Sequence, residues 1–311
     1  MDHGVQHLKP GSGSGSETEP AEDNTAVYTN AKRPYFLPMS QTTSFVTSDV
    51  HLGAVPSSTV RAFHQWLRWV AERAELVVIN GDLFDFWFEY RSVVPRGYAR
   101  TLGLLGELVD HGVTVHLVGG NHDWWGGSML TDEIGVHFHR DPVVLDVSGR
   151  RCLFAHGDGL GRGDLGYRAL RWTLRSRPTR WLFRWIHPDV GAAVARKVSR
   201  TELRQEADGH TRKGVGDPLD GGQPGDPAGR SGELSRWARN QLLDDPSLDD
   251  VFLGHTHLPK REEVAPGRFY VNSGDWLIHN SFVSIKGPDA PPELLQWKGD
   301  APPIPFTSRG A

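Results

Sequence analysis

Five short clusters of histidine and carboxylate recur along this chain, each directly after an apolar run with strand character. They are Ser-Phe-Val-Thr-Ser-Asp49-Val-His51, Leu-Val-Val-Ile-Asn-Gly-Asp82, Val-Thr-Val-His-Leu-Val-Gly-Gly-Asn121-His122-Asp123, Arg-Cys-Leu-Phe-Ala-His156-Gly-Asp158 and Val-Phe-Leu-Gly-His255-Thr-His257. Repetition of one setting, strand then ligand, predicts one site assembled where several strands end, which is where open α/β sheets place their active sites. Imidazole, carboxylate and amide oxygen without thiol suit divalent ions such as Mn, Fe, Zn or Ni.

The segments between the clusters set the fold. Val60, Phe63, Leu67, Val70 and Ala74 recur at alternating steps of three and four and predict an amphipathic helix before the strand Leu76–Ile79. A second helix carries Leu102, Leu105, Leu108 and Val109, stops at Gly112 and leads to the strand Val113–Val118. That alternation is the signature of parallel crossover units, so the fold class is α/β (α+β). The runs Val143–Val147, Arg151–Ala155, Val251–Leu253, Arg268–Val271 and Phe282–Ile285 predict a second sheet packed on the first, with helices outside. Residues 1–40, rich in Gly, Ser, Glu, Thr and Pro, read as a tail without a core of its own. Residues 208–231 read as a flexible loop, since Asp208–Arg230 contains seven Gly and three Pro. A helix over Glu233–Leu243 follows, and residues 291–311 read as a Pro-rich C-terminal tail.

Composition excludes several functions. A formal charge of -4 gives no basic footprint for nucleic acid. The single cysteine, Cys152, forbids an internal disulfide and reads as a core residue of a reducing, cytoplasmic compartment. No apolar run approaches the ~20 residues that span a bilayer, and the N-terminus has no stretch resembling a signal peptide.

Spacing suggests how the ligands divide. Asp49 and His51 are two apart at a strand end and share one side of the sheet, and His255 and His257 repeat that pattern. One metal could take Asp49, His51 and one distal histidine. A second could take Asn121, His156 and the other, with Asp82 bridging. Two ions ~3.5–4 Å apart clamp a water and a phosphoryl group. His122 can protonate the leaving oxygen, with Asp123 orienting its ring. His137 and His139, without a supporting carboxylate, read as ordinary strand residues; His64, His111 and His116 read as structural, and His279 as able to approach the site.

Taken together, Asp49-Val-His51, Gly81-Asp82, Gly120-Asn121-His122-Asp123, His156 and Gly254-His255-Thr-His257 are similar in order and spacing to the five motifs of the calcineurin-like metallophosphoesterases. The resemblance covers residues 43–285 and implies a four-layer αββα sandwich with a helical cap insertion, a dinuclear metal centre (Mn, with Fe, Zn or Ni as alternatives) and phosphoester or pyrophosphate hydrolysis by metal-bound hydroxide. It places the metallophosphoesterase domain at 41–290, with the cap at 165–206. Gly81-Asp82-Leu-Phe-Asp85-Phe-Trp, His156-Gly-Asp158, Asp164, Tyr167 and Gly274-Asp275-Trp276 resemble the branch that hydrolyses UDP-2,3-diacylglucosamine in lipid A synthesis. That likeness implies a cap that lodges acyl chains, attack on the pyrophosphate to give UMP and a diacylated sugar phosphate, and substrate-binding roles for Asp164, Tyr167, Arg196, Ser199 and Arg200. One residue departs from it: the best-known members carry arginine after the asparagine, where this chain has His122.

The insertion has its own chemistry. Between Gly161 and Arg204 eleven Lys or Arg stand against three acidic residues, in an otherwise acidic chain. Arg168, Arg171, Arg175, Arg177, Arg180 and Arg184 interleave with Trp172, Trp181, Trp185 and other apolar residues. Arginine with tryptophan suits the headgroup boundary of an anionic membrane, which predicts peripheral attachment to the inner face. The resemblance implies a lipid or nucleotide-lipid substrate, and no obligate protein partner is expected. The alternative is a capping helix pair whose tryptophans face the core and whose arginines are solvated. For the whole chain the competing functions are hydrolysis of another phospholipid or a small phosphodiester, and a non-catalytic scaffold of the same fold.

Overall fold

The computed structural model describes residues 43–90, 92–160, 165–191, 193 and 230–307, with the backbone alone at 165–168, 170 and 230. All of them belong to one unit, Arg33–Ala311. The expected tail at 1–40, most of the loop 208–231, and the substrate-binding candidates Asp164, Arg196, Ser199 and Arg200 lie outside the described residues; Tyr167 is described by its backbone alone.

A sheet of seven strands carries the first three ligand clusters. Its central strands β1 (Thr43–Thr47), β2 (Ala74–Asn80) and β3 (Thr114–Val118) run parallel, linked by helices α1 (Ser57–Ala71) and α2 (Ala99–Asp110). The short β4 (His137–His139) closes one edge. A second sheet has the order β5 (Val143–Val147), β6 (Arg150–Phe154), β7 (Asp250–Leu253), β9 (Arg268–Asn272), β8 (Lys260–Ala265), with β6, β7 and β9 parallel.

Period-two alternation turns these strands into layers. Phe45, Val77, Ile79, Val115 and Leu117 pack against Phe63, Trp66 and Leu67 of α1 and Leu102 and Leu105 of α2. Their neighbours Val46, Val78 and Val118 point the other way, onto Cys152, Phe154, Phe252 and Val271 of the second sheet. The far face of that sheet, with Leu153, Val251, Leu253 and Tyr270, is covered by Leu234, Ala238 and Leu242 of α5 (Arg230–Asp244). The result is the αββα sandwich. Two further helices, α3 (Leu165–Arg175) and α4 (Arg177–Phe183), form the described part of the cap.

Three sequence expectations need correction. The strand over Phe282–Ile285, β10 (Ser281–Ile285), joins the first sheet, antiparallel to β1, and not the second. It is buried throughout, so its apolar run carried no sign of which sheet it would join. The segment 291–311 is not a tail over its described length, because β11 (Glu293–Lys298) and β12 (Ala301–Pro305) extend the first sheet. Leu295 and Trp297 pack on the helix-side core and Leu294 on the inter-sheet core, while Pro302, Pro303 and Pro305 are tolerated because β12 is the edge. Finally, α5 begins at Arg230, within the expected loop.

One polar bond ties the second sheet together. Buried Arg150 donates from Nε and Nη2 to Asp250 at 2.6 and 2.8 Å, and to the carbonyls of Pro288 and Gly267 at 2.8 Å each. Arg150→Met should lower unfolding free energy in urea by about 3–5 kcal/mol, because Asp250 is left buried without its cation. A loss below about 1 kcal/mol would mean that Asp250 is neutral in the folded protein. Cys152 lies beside this pair, fully buried, and burial pushes its thiol well above the usual range.

Candidate metal centre

Every ligand cluster leaves the C-terminal end of a parallel strand: Asp49 after β1, Asp82 after β2, Asn121 after β3, His156 after β6 and His255 after β7. The two sheets present these ends side by side, joined by Asn80 Nδ2, which donates to the carbonyls of Ala155 and Phe252 at 3.0 and 3.2 Å. Asp49, His51, Asp82, His255 and His257 all adopt left-handed backbone, with φ of 52, 49, 52, 68 and 58°. Such conformations cost side-chain-bearing residues on the order of 1–3 kcal/mol each and concentrate at functional sites. The tight turns are held in place by the Asp82 carbonyl, which accepts the N–H groups of Val50 and His51 at 2.9 Å each.

Glycine makes room for the ligand side chains. A Cβ on Gly120 would overlap Asp82 Oδ1, and one on Gly81 would overlap the His156 ring while the backbone there has φ of 90°. Neither position admits another residue without moving a ligand.

Among the described residues three groups of side chains able to hold a metal emerge, one of them His51, Asp85 and His122, and the other two separate the distal histidines. Asp49, His51 and His257 converge, as do Asp82, His156 and His255. In the first, His257 Nε2 is 3.3 Å from both Asp49 Oδ1 and His51 Nε2. In the second, His156 Nε2 is 3.1 Å from Asp82 Oδ2 and 3.3 Å from Asn121 Oδ1. Asp82 Oδ2 also lies 3.7 Å from His51 Nε2, so this one carboxylate faces both groups.

The donor set fits divalent ions. His156 Nδ1 donates to the Asn80 carbonyl at 3.0 Å, which turns Nε2 toward the Asp82 carboxylate. A nitrogen lone pair and a carboxylate approach like this only with positive charge between them, a proton or a cation. Burial works against charge on both partners, yet His156 and then His122 hold Asp82 well below the usual carboxylate range, and Asp82 holds His156 well above the usual imidazole range. His51, by contrast, is drawn down to about 4, chiefly by burial, and is a neutral nitrogen donor. Asp49 accepts the His255 N–H at 3.0 and 3.1 Å, and burial raises its pKa.

The two catalytic candidates part company. His122 donates from Nδ1 to the Asp85 carbonyl at 2.8 Å, and its backbone N–H donates to Asp82 Oδ1 at 3.0 Å. Burial would lower its pKa, but Asp82 and Asp85 outweigh burial and raise it. Asp123 does not orient that ring. It is fully buried and accepts backbone N–H groups from Asp82, Leu83, Phe84 and Gly120 at 3.3, 2.7, 3.4 and 2.7 Å. It braces two ligand turns against each other, with a pKa pushed up to about 6 by burial and then by Asp82.

Asp85 and Asp275 complete the site, and neither stood among the ligand or catalytic candidates. Asp85 Oδ1 is 3.7 Å from His51 Nδ1 and 3.8 Å from His122 Nδ1, so it faces the outer side of both rings. Asp275 Oδ2 is 3.5 Å from His257 Nδ1, and its Oδ1 accepts from His279 Nδ1 at 3.1 Å. Burial favours the neutral acid, but hydrogen bonds from His257 and His279 hold Asp275 far below the usual range. Carboxylates behind ligand histidines fix ring orientation and raise basicity. Their signal in the sequence was position alone: Asp85 three residues after Asp82, and Asp275 in the turn after β9. His279 therefore approaches the site at one remove. His137, His139 and His116 gather elsewhere, stacked across β3 and β4, while His64 bonds Thr101 at 2.8 Å.

The cap docks on this centre through Asp158, which accepts a hydrogen bond from Arg175 Nη2 at 2.7 Å and forms an ion pair with Arg171, whose Nε lies 2.9 Å away. Arg175 also reaches the Gly120 carbonyl at 3.2 Å. These arginines are consumed by docking, and it is the tryptophans that face solvent: Trp172, Trp181 and Trp185 are 76, 63 and 74% exposed. Tryptophans turned inward are thereby excluded at these three positions, whereas Arg177 and Arg184 are exposed, as the capping-pair alternative expects. No described helix is long and apolar enough to cross a membrane.

Comparison with known proteins agrees with this geometry. Residues 43–259 match the family described as calcineurin-like phosphoesterase, whose members use a dimetal centre. The chain is 34% identical over 249 residues to a UDP-2,3-diacylglucosamine hydrolase of Porphyromonas gingivalis, covering 78% of this chain and 94% of that one. Proteins of the same name from Ralstonia nicotianae and Pseudomonas aeruginosa are 30 and 31% identical, each over 235 residues; the matches cover 75 and 74% of this chain and 83 and 89% of theirs. The chain is a metal-dependent phosphoesterase and belongs to the calcineurin-like phosphoesterase family.

Proposed function

We propose that the chain hydrolyses the pyrophosphate of UDP-2,3-diacylglucosamine, releasing UMP and 2,3-diacylglucosamine 1-phosphate, a step of lipid A synthesis. Asp49, His51 and His257 would hold one ion and Asn121, His156 and His255 the other, with Asp82 shared. The observation that carries this reading is Asp82, a single buried carboxylate aimed at the nitrogens of His51 and His156 from the two groups. Two divalent ions, when bound, polarise the phosphoryl oxygens and lower the pKa of a coordinated water. The chain itself supplies His122 as proton donor to the leaving oxygen and keeps water out with the cap. Relatives named for this substrate over three quarters of the chain support the choice of ester. Hydrolysis of another phospholipid or a small phosphodiester is the second reading, favoured by His122 in place of arginine.

A panel assayed with Mn separates the two: UDP-2,3-diacylglucosamine, a phosphatidyl phosphate, bis-p-nitrophenyl phosphate and single-stranded DNA. The expected result is turnover of the first at least about 100-fold above the others in kcat/KM, abolished by EDTA and restored by Mn. Full activity in EDTA would sink the metal reading, and preference for the phosphatidyl phosphate would establish the second.

Peripheral attachment to the inner face of the membrane belongs to the same proposal. Trp172 and Trp185 stand out from a cap rich in arginine, as an interfacial anchor does. Trp172→Ala with Trp185→Ala should reduce flotation with anionic vesicles severalfold and raise KM for the lipid substrate, while bis-p-nitrophenyl phosphate turnover holds. Vesicle binding should also weaken with salt, since charge at the interface is screened within about 8–10 Å. Flotation unaffected by both the substitutions and salt would place the cap away from the bilayer.

A further inference from the structure

We propose that the cap and the ligand loops form between them an open second anion site, one that takes a phosphate group carried on a sugar- or nucleoside-sized body. A cavity of about 560 Å³ lies between α4 and the segments 88–90 and 125–128. Those segments continue from Asp82–Asp85 and Asn121–Asp123 and are joined by a bridge between Phe88 and Trp125. The cavity therefore neighbours the metal centre, yet none of its walls is a candidate ligand.

Four guanidinium groups line it, from Arg140, Arg177, Arg180 and Arg184. Facing them, among the described residues, is one carboxylate, Glu89, whose oxygens already accept the Trp87 indole N–H at 3.2 Å and the backbone N–H groups of Gly127 and Met129 at 2.7 and 3.1 Å. Among the described residues, Arg177, Arg180 and Arg184 make no ion pair with any carboxylate. Two buried polar atoms of the wall, Arg180 Nε and the Tyr90 hydroxyl, have no hydrogen-bond partner. Burial first, then Arg140, Arg184 and Arg177, draw the Arg180 pKa below its usual value, a crowding of like charge that an anion relieves.

Ligand class follows from these features. Guanidinium forks match phosphate oxygens two at a time, and four cations against one anion suit a doubly charged group. The volume falls within the roughly 300–1,000 Å³ of small-molecule sites and far exceeds a bare phosphate. Trp125 and Trp181 in the wall supply flat apolar faces for a ring. The inference does not depend on which ester the metal centre cleaves. The phosphate can belong to a soluble or substrate molecule, or to a phospholipid headgroup.

The test uses the full chain loaded with Mn and the pair Arg180→Gln, Arg184→Gln. Titration calorimetry with UMP should show affinity lowered by at least about tenfold, as expected for two lost charged hydrogen bonds. Hydrolysis of bis-p-nitrophenyl phosphate should stay within about twofold, since that ester has no second phosphate to place. Flotation on phosphatidylcholine vesicles with and without phosphatidate assigns the source. A parallel loss on phosphatidate makes the ligand a headgroup; unchanged flotation makes it soluble or substrate-borne. Unchanged UMP affinity with unchanged flotation overturns the proposal. Should the glutamine pair lose diester hydrolysis as well, Arg180→Lys with Arg184→Lys decides. Recovery of UMP binding alongside hydrolysis supports the site, and recovery of hydrolysis alone overturns it.

Discussion

Replacing Asp82 with alanine is expected to remove essentially all hydrolysis, on the order of 10⁴-fold in kcat or more, since two Lewis-acid contributions of several kcal/mol depend on it. The side chain faces His51 at 3.7 Å and His156 at 3.1 Å and accepts the His122 N–H at 3.0 Å, so its loss should unsettle both candidate ligand groups and the proposed proton donor together. His51→Ala removes one ligand from one group, and saturating Mn should recover at least about tenfold more activity from it than from Asp82→Ala. Thermal unfolding of both variants without metal separates ligand loss from loss of fold. Equal residual rates at saturating Mn would show that Asp82 serves only one ion.

The second large effect concerns His122. Alanine there should lower kcat by roughly 10²–10⁴-fold, the usual cost of a lost general acid, with metal content retained. Its Nδ1 is committed to the Asp85 carbonyl, so Nε2 is the nitrogen left to hand over a proton. Because Asp82 and Asp85 raise the pKa of this ring, the alkaline fall of wild-type activity as its proton is lost should lie above the ordinary imidazole range, and His122→Ala should flatten this limb. Esters with a good leaving group need little protonation and should lose far less rate. Equal losses for p-nitrophenyl and alkyl leaving groups would assign His122 to substrate binding.

Much of the site was legible because metal ligands fall in contiguous motifs at strand ends, and strands advertise themselves by apolar runs. The convergence of Asp49, Asp82, His156 and His255 needed only the inference that parallel strands finish together. Residues that act through others left no such mark. Asp85 and Asp275 touch the outer nitrogens of ligand rings from turns whose course no periodicity predicts. Asp123 misled for a related reason: it follows His122 in the chain, but consecutive side chains in a turn diverge, and its carboxylate went to backbone N–H groups. The last strand, β12, was hidden by its prolines, which weigh against strand in general but not at a sheet edge. In the cap, arginine and tryptophan were both visible, and only docking on Asp158 shows which of them is spent on the fold.

The left-handed turns at Asp49, His51, Asp82, His255 and His257 have a consequence for anyone engineering a hardier version of this protein. Judged by backbone conformation alone, these are the positions where glycine or asparagine would relieve strain and raise melting temperature. They are also the positions proposed to hold the metal ions. A stabilising campaign ranked by folding energy would thus nominate the ligands first and return a robust, inert protein.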